Sequence, residues 1–272
     1  KSYDGTTTTV GATQTGGAVT GAIDGDSFTA SISGGTYASP PNAGTNITIT
    51  GATASIVATS GTGWSLSGYT TSLGAVSGVI NKANLTITPT TGQSKTYGGA
   101  EPSLTYTPTG FVNGETSIAG LSGVLTRAAG ENVGTYAYSV SGLSSTNYTF
   151  TMVGSPSQFT INKANLTVTP TTGLTKIYGA LDPTLTYTTS ALLNSDASIA
   201  GLSGTLTRAT GENVGNYAYS VSGLSSTNYT FTMVGSPSEF AISARPITVT
   251  ANTLNKVYGN ADPALLTYTL TS

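Results

Sequence analysis

The acidic residues are the first candidates for chemistry, because the chain has only 11 of them and three stand in matching segments of sequence. Glu101, Asp182 and Asp262 each directly precede a proline. Two carboxylates about 5 to 10 Å apart in a cleft could cleave a glycosidic bond. A single carboxylate before proline is more typical of a turn, since it accepts backbone hydrogen bonds while the proline fixes φ. We therefore predict that these acids set turns.

Two other groups of charged residues could bind or pair with ions. Asp24 and Asp26 form a DxD pattern, but two carboxylates are too few to specify a calcium ion, which takes six to eight oxygen ligands. A four-residue spacing across a glycine turn separates an arginine from a glutamate twice, in Arg127/Glu131 and Arg208/Glu212. This spacing predicts exposed or semi-exposed ion pairs, each worth about 0 to 1 kcal/mol.

Three further side chains have a specialised alternative to ordinary packing. Trp64 is the single tryptophan, and an exposed indole could stack on a sugar ring, although core packing is the more common use of such a side chain. Lys82 and Lys163 lie near asparagines, which would suit a lysine–asparagine isopeptide bond. That reaction needs a buried carboxylate beside the pair, and no residue in the sequence marks one.

The composition excludes several classes of function. The chain has no histidine and no cysteine, which removes imidazole bases, thiolate nucleophiles and the usual zinc and haem ligands. The net charge is −2 and the nine basic residues are scattered, so nucleic acid is not an expected partner. No apolar run approaches the roughly 18 to 20 residues of a membrane span. We expect no catalytic, cofactor or metal site, no cofactor and no membrane insertion in this fragment.

An internal repeat organises the chain. The segment Asn81–Ile161 returns as Asn162–Ile242 with about three quarters of its positions identical, and a further copy starts at Ser243. The repeat is therefore about 81 residues long. It divides the chain into residues 1–81, 82–162, 163–243 and 244–272, called here the first, second, third and partial fourth repeats. The first is divergent and lacks its opening strand, and the last is a truncated start, so we read the chain as a piece of a longer protein.

Apolar residues alternate with polar ones along each repeat, which is typical of strands with one buried face. Leu85 and Ile87 alternate with threonines, and Tyr148 and Phe150 do the same. The pattern predicts about six short strands per repeat, with their recurring tyrosines facing inward. The stretch Glu131–Tyr136 resembles the tyrosine corner of immunoglobulin-like sandwiches. We therefore expect an all-β fold of small immunoglobulin-like sandwiches placed end to end. A β-grasp-like module is the alternative, if Gly114–Ala119 forms a short helix.

Three sequence motifs resemble a known family. The element KxYGxx[DE]P followed by LTY, and the stretch GENVGxYAYSVSGLSSTNYTF, resemble MBG (mostly-beta, glycine-rich) modules. The opening KSYDGTT resembles the related YDG module. The resemblance implies tandem arrays within large secreted, adhesin-like proteins on bacterial surfaces, with no catalytic residues to carry over. It places the chain outside the cell or at the bacterial cell surface.

The junctions between repeats suggest a mechanical role. Residues 159–168 contain no Gly, Pro or Ser run, and the buried positions change from odd (Phe159, Ile161) to even (Leu166, Val168). We therefore expect a separate core in each repeat, a stiff junction, and a non-catalytic spacer or stalk whose partners are its neighbouring modules. Host glycan or protein would be bound through other regions. The alternative is low-affinity glycan or protein binding multiplied along the array, using side chains such as Trp64 or Tyr97.

Overall fold

The fold is all-β. The computed structural model describes residues 1–10, 14–15, 27–60, 72–154, 156–235 and 237–272, and every regular element within those ranges is a strand. Residues 114–119 form turns and irregular backbone, so the helix of the β-grasp alternative is not there. Over the same ranges, no helix of the length and apolarity of a membrane span is found. The all-β expectation is confirmed.

The first repeat folds into one antiparallel sheet. Its strands are β1 (Gln14–Thr15), β2 (Ser27–Tyr37), β3 (Gly44–Ser60) and β4 (Val76–Ile80), in the spatial order β1-β4-β3-β2. Tyr37 is buried at the end of β2, and its hydroxyl donates to the Val79 carbonyl oxygen at 3.2 Å. A side chain at Gly78 would overlap the Tyr37 ring, which explains a glycine in the middle of β4.

The second and third repeats have corresponding strands that are offset by 81 residues. In the second repeat these are β5 (Ala83–Pro89), β6 (Ser94–Thr96), β7 (Tyr106–Thr109), β8 (Thr126–Arg127), β9 (Gly134–Tyr136), β10 (Tyr138–Ser139), β11 (Tyr148–Met152) and β12 (Phe159–Asn162). In the third they are β13 (Ala164–Pro170), β14 (Thr175–Ile177), β15 (Tyr187–Thr189), β16 (Thr207–Arg208), β17 (Gly215–Tyr217), β18 (Tyr219–Ser220), β19 (Tyr229–Met233) and β20 (Phe240–Ser243). These exceed the predicted six because the KxYG element opens with a short strand, β6, and because the alternating stretch Tyr136–Ser139 is divided between β9 and β10.

The third repeat is a small β-sandwich with mixed strand pairing. β13 pairs in parallel with β19 and antiparallel with β15, while β20 pairs in parallel with β14 and antiparallel with β17. β16 and β18 add a short antiparallel ladder. The core lies between the sheets and includes Val168 from β13, Phe240 and Ile242 from β20, and Tyr219 from β18. The predicted change of buried positions is confirmed, because Phe159, Ile161, Leu166 and Val168 are all at most 1% exposed.

The chain forms two compact units whose limits differ from those of the sequence repeats. Unit 1 contains residues 1–94, 101–130 and 135–160, and unit 2 contains residues 95–100, 131–134 and 161–272. In unit 1 one apolar cluster joins Tyr3, Ile49 and Ile80 of the first repeat to Leu85 and Tyr148 of the second. The expectation of a separate core in every repeat is therefore wrong within unit 1. The physical reason is that an 81-residue repeat buries too little surface alone and shares its apolar face with the next repeat.

The partial fourth repeat forms a hairpin. β21 (Thr248–Ala251) pairs antiparallel with β22 (Tyr268–Thr271), as β13 pairs with β15 in the third repeat. All its side chains are exposed, including Val249 at 63%, whereas the equivalent Val168 is 0% exposed. Equivalent strands of similar sequence are therefore core in one repeat and surface in the next.

Candidate functional site

The tyrosine of the KxYG element lies in a pocket formed by the following repeat. In unit 2, Tyr97 is 2% exposed and its hydroxyl donates to both carboxylate oxygens of Asp196, at 3.0 and 2.9 Å. The Tyr229 hydroxyl donates to the same carboxylate at 2.8 Å. The two rings meet edge to face, with centroids 5.3 Å apart. Hydrogen bonds to an ionised acceptor are stronger than neutral ones, so one acid binds two buried phenols. We call this arrangement the tyrosine–carboxylate contact.

The same contact occurs one repeat earlier, inside unit 1. Tyr3 and Tyr148 donate to the two oxygens of Glu115, each at 2.5 Å, and their ring centroids are 5.6 Å apart. Burial, with a smaller contribution from the Glu115 carboxylate, raises the pKa of Tyr3 to about 12. Both phenols are therefore held protonated as donors. The contact is thus formed twice by different residues in equivalent positions.

The glycine after this tyrosine has a steric role. Gly98 has a φ of 73°, a left-handed conformation that favours glycine. A Cβ at Gly98 would also lie 2.6 Å from Cβ of Leu193, so the loop could not come this close with any larger residue. In unit 1, Gly5 has a φ of 69° and comes equally close to Asn113. The Tyr-Gly or Tyr-Asp-Gly pattern therefore combines a buried ring with a close backbone approach.

A second contact joins an asparagine to a turn in the preceding repeat. In unit 2, Asn228 is 1% exposed; its side-chain oxygen accepts from the Val133 amide and its nitrogen donates to the Asn132 side chain, both at 3.0 Å. In unit 1, Asn147 makes the same two bonds to the Ala43 amide and the Asn42 side chain, at 3.0 and 3.1 Å. We call this arrangement the asparagine clamp.

Sequence reasoning missed the asparagine clamp, although a signal was present. Asn42-Ala43-Gly44-Thr45 matches Asn132-Val133-Gly134-Thr135, and Asn147 and Asn228 both stand directly before a core tyrosine. Both asparagines also begin Asn-x-Thr triplets, which arise by chance in a chain this rich in threonine, so their regular position is easily overlooked. The clamp satisfies buried polar groups, which would otherwise cost free energy.

Each complete repeat also carries a buried arginine at the start of its Gly turn. Arg208 lies between the rings of Tyr217 and Phe240, 4.9 and 5.0 Å from their centroids, and makes a two-pronged contact with Asp182 at 2.6 and 2.9 Å. Lys176 contacts the same carboxylate at 2.7 Å. Arg127 is held in the same way in unit 1, between Tyr136 and Phe159 and against Glu101.

This arrangement corrects the predicted role of the acids before proline. Glu101 and Asp182 bind arginine guanidinium groups, and Asp262 binds Lys256, whereas turn-setting through backbone amides was expected. A planar guanidinium takes a carboxylate by two parallel bonds and stacks on aromatic rings, which outweighs the weaker backbone alternative. The predicted semi-exposed ion pair between Arg208 and Glu212 is present, at 2.9 Å, with the arginine side chain 7% exposed and the glutamate side chain 67% exposed.

A family comparison decides what these repeats are. A family model described as the MBG domain (YGX type) matches residues 85–160 and 166–237, more than half of the chain. The chain belongs to the MBG family. No curated protein and no solved structure matches it. The MBG family is a family of structural repeats. The resemblance found from the KxYG element and the GENVG stretch is therefore confirmed over the second and third repeats.

The acid–base cluster of the third MBG repeat lines a shallow open groove of about 500 Å³. The hydrogen bonds from Arg208 and Lys176 lower the pKa of Asp182 to about 2, and Lys176 lowers the pKa of Glu212. General acid catalysis by a carboxyl group needs a raised pKa, whereas the pKa values of Asp182 and Glu212 are both lowered. In the part of the chain that the structure describes, no three acids come together as metal ligands would. The groove is a packed ion-pair network of an MBG repeat.

The remaining sequence-predicted residues have mixed outcomes. The Tyr217 hydroxyl donates to the Asn213 carbonyl oxygen, four residues upstream, at 2.7 Å, as a tyrosine corner requires. Lys82 and Lys163 donate to the carbonyl oxygens of Ser145 and Ser226, both at 2.6 Å. Trp64 and the Asp24–Asp26 pattern lie outside the described residues. Tyr97, which was named with Trp64 in the glycan- or protein-binding alternative, is only 2% exposed.

Proposed function

We propose that these MBG repeats are non-catalytic spacer modules in the stalk of a large, adhesin-like protein exposed on, or secreted from, a bacterial cell. The observation that carries the proposal is the tyrosine–carboxylate contact, which buries the defining side chain of the KxYG element in the next repeat of the sequence. A side chain used in this way is unavailable to a solute. The partners of each module are therefore its neighbours in the same chain.

The connections between repeats support a load-bearing role. A single residue, Lys163, separates β12 from β13, and only two residues separate β4 from β5. Short connections without flexible composition restrict motion between neighbours. In unit 1 the shared apolar cluster adds a packed interface across the repeat boundary. Repeats coupled only to their neighbours add length without adding a new chemical site.

Single-molecule force spectroscopy tests the spacer function. The full chain, held by its ends, should unfold in discrete steps that release the contour length of one repeat, or of two repeats that share a core. One 81-residue repeat corresponds to about 27 to 29 nm before the folded length is subtracted. The variant Tyr97→Ala should lower the force of the weakest step, whereas Tyr178→Ala should leave it unchanged. A featureless extension curve, as from an unstructured polymer, contradicts the proposal.

Antibodies raised against the chain test the proposed location. They should label intact cells of the bacterium that encodes the protein, or the culture medium, and protease added to intact cells should remove the cell-bound signal. Labelling only after the cells are permeabilised contradicts an extracellular position. Antibodies against a cytoplasmic protein provide the control for cell integrity.

Low-affinity glycan or protein binding along the array is the alternative, and enzymatic activity is a third possibility. The burial of Tyr97 argues against one of the two side chains that were named for the binding alternative. Glycan arrays and hydrolase screens with the full chain should therefore show no signal above a charge-matched control protein. Binding that disappears on replacing Tyr258 or Trp64, or turnover that disappears on replacing a single acid, would favour these alternatives.

A further inference from the structure

An open surface on the third repeat corresponds in position to the contacts that join earlier repeats. Tyr178 and Ile177 of the KxYG element are each 49% exposed, and Val214 is 57% exposed. Tyr178, Asn213 and Val214 help to line an open groove of about 560 Å³ in unit 2, together with residues of the partial fourth repeat. Apolar side chains grouped around polar donors are typical of an interaction surface.

The equivalent positions one repeat earlier show what covers such a surface. Tyr97, equivalent to Tyr178, is 2% exposed and bonded to Asp196. Val133, equivalent to Val214, donates its amide to Asn228 at 3.0 Å. In both cases the partner belongs to the third repeat, the next MBG repeat in the sequence.

The first repeat supplies an independent second example inside unit 1. Tyr3 bonds to Glu115, and the Ala43 amide bonds to Asn147. The sequence around Asn42-Ala43 differs from that around Asn213-Val214, yet the receiving acid and asparagine occupy the same positions of the following repeat. The repeat that covers such a surface is therefore recognised by three of its side chains. These are an acid, an asparagine and the tyrosine that directly follows the asparagine.

The backbone of the open surface already has the conformation that the contact requires. Gly179 has a φ of 83°, close to the 73° of Gly98, which comes near to Leu193. A Cβ at Gly179 would meet only Arg245, at 3.5 Å, so the space that a neighbouring turn would fill is open. A preformed loop lowers the conformational cost of docking.

We propose that Tyr178, Gly179, Asn213 and Val214 form the docking surface for a complete MBG repeat placed directly after the third. Its residues equivalent to Asp196, Asn228 and Tyr229 would receive the Tyr178 hydroxyl and the Asn213–Val214 turn. Residues 244–272 match only the first part of the repeat and contain none of these three groups. The surface joins one repeat to the next. The proposal does not depend on whether the array acts as a spacer or binds a ligand.

The test is an extended chain in which residues 244–272 are replaced by a second copy of residues 163–243. Tetranitromethane nitrates accessible tyrosines, and peptide mass spectrometry identifies each one. Tyr178 should react readily in the 272-residue chain and at least about tenfold more slowly in the extended chain, because reaction then requires local opening. Tyr97 should be protected in both chains and provides the internal reference.

The matched control is an extended chain whose appended repeat carries alanine at the three positions equivalent to Asp196, Asn228 and Tyr229. Tyr178 should regain most of its reactivity in that control. Protection of the appended copy's Tyr219 equivalent, which packs in its own repeat, reports folding. Equal nitration of Tyr178 in the 272-residue and extended chains overturns the proposal. An appended repeat that leaves its Tyr219 equivalent reactive also overturns it, because the same sequence folds behind the second repeat.

A second measurement separates docking from simple coverage. Tyr178→Ala should lower the urea midpoint of the extended chain and leave that of the 272-residue chain nearly unchanged. An equal effect in both chains would mean that Tyr178 stabilises its own repeat, and would contradict docking.

Discussion

The second and third repeats are almost the same sequence in different surroundings. β5 pairs with β11 and β13 pairs with β19 in identical registers, yet Tyr97 is buried and Tyr178 is half exposed. The strand pairing depends on contacts within the repeat, which both copies share. The exposure of the KxYG element depends on the repeat that follows. The comparison teaches that the KxYG motif is buried by contacts with the following repeat rather than by contacts within its own repeat.

A substitution between the copies shows a second difference. Gln93 donates to the Tyr138 hydroxyl at 3.2 Å and also contacts Thr90 and Thr105. The equivalent residue in the third repeat is Leu174, which packs against the core. Within the described residues, the Tyr219 hydroxyl is consequently buried without a hydrogen-bond partner. The third repeat therefore has apolar packing where the second has a hydrogen-bond network, and it loses one hydrogen bond to a buried hydroxyl.

The largest expected effect is the contrast between two equivalent tyrosines. Tyr97→Ala should lower the free energy of unfolding of unit 2 by about 3 to 5 kcal/mol, the usual cost of emptying an aromatic site in a core. Tyr178→Ala should cost less than about 1 kcal/mol, as exposed substitutions do. Urea unfolding followed by circular dichroism measures both. Equal effects would mean that the KxYG tyrosine acts only within its own repeat.

Removing the carboxylate of a tyrosine–carboxylate contact should have an intermediate effect on the free energy of unfolding, and the effect should depend on pH. Glu115→Gln replaces the ionised acceptor of Tyr3 and Tyr148 and should destabilise unit 1 by about 1 to 3 kcal/mol. Because the pKa of Tyr3 is raised from 10.0 to about 12, its contribution to stability is complete below pH 10 and is lost as the pH rises to 12. The variant should show a smaller loss over that range.

Unfolding at pH 8 and at closely spaced pH values up to 12 measures this prediction. The matched change in unit 2 is Asp196→Asn, which should destabilise that unit without altering the alkaline loss of unit 1. An unchanged alkaline profile in Glu115→Gln would show that the carboxylate contributes nothing to the tyrosine pair.

Removing the buried hydroxyls of Tyr138 and Tyr219 should change the free energy of unfolding in opposite directions. Tyr138→Phe should destabilise unit 1 by about 0.5 to 1.5 kcal/mol, because the bond from Gln93 is lost. Tyr219→Phe should be neutral or stabilise unit 2 by up to about 1 kcal/mol, because an unpaired buried hydroxyl is removed. In a Leu174→Gln background, where the glutamine can pair with the Tyr219 hydroxyl, Tyr219→Phe should no longer give this gain. Thermal unfolding of the unchanged chain, the three single variants and the double variant measures this, and a destabilised Tyr219→Phe would contradict it.

The smallest expected effect comes from one backbone position. Ser195 has a φ of 58°, and the equivalent Gly114 has a φ of 70° with open space where a Cβ would lie. Ser195→Gly should stabilise unit 2 by up to about 1 kcal/mol, since serine is strained in this conformation. Gly114→Ser should destabilise unit 1 by a similar amount. Two changes of the same sign in urea midpoint would contradict the strain argument.

Much of the fold could be predicted from the sequence, for a local reason. Leu85, Ile87, Phe159 and Ile161 lie at alternating positions, and all are buried as the alternation predicts. The tyrosine corner was predicted from a short turn with a tyrosine close by, and its bond spans only four residues. The role of Asp182 was predicted wrongly because its partner, Arg208, lies 26 residues away, beyond any local pattern.

The sequence by itself determined the repeat length, the strands with their buried faces, and the lack of histidine and cysteine chemistry. Only the tertiary structure decided which of several equivalent tyrosines and asparagines are core. The Tyr97 hydroxyl bonds to a residue 99 positions away, and the Val133 amide to one 95 positions away. A period of two reports that one face of a strand is covered, but it contains no information about which distant residue covers it.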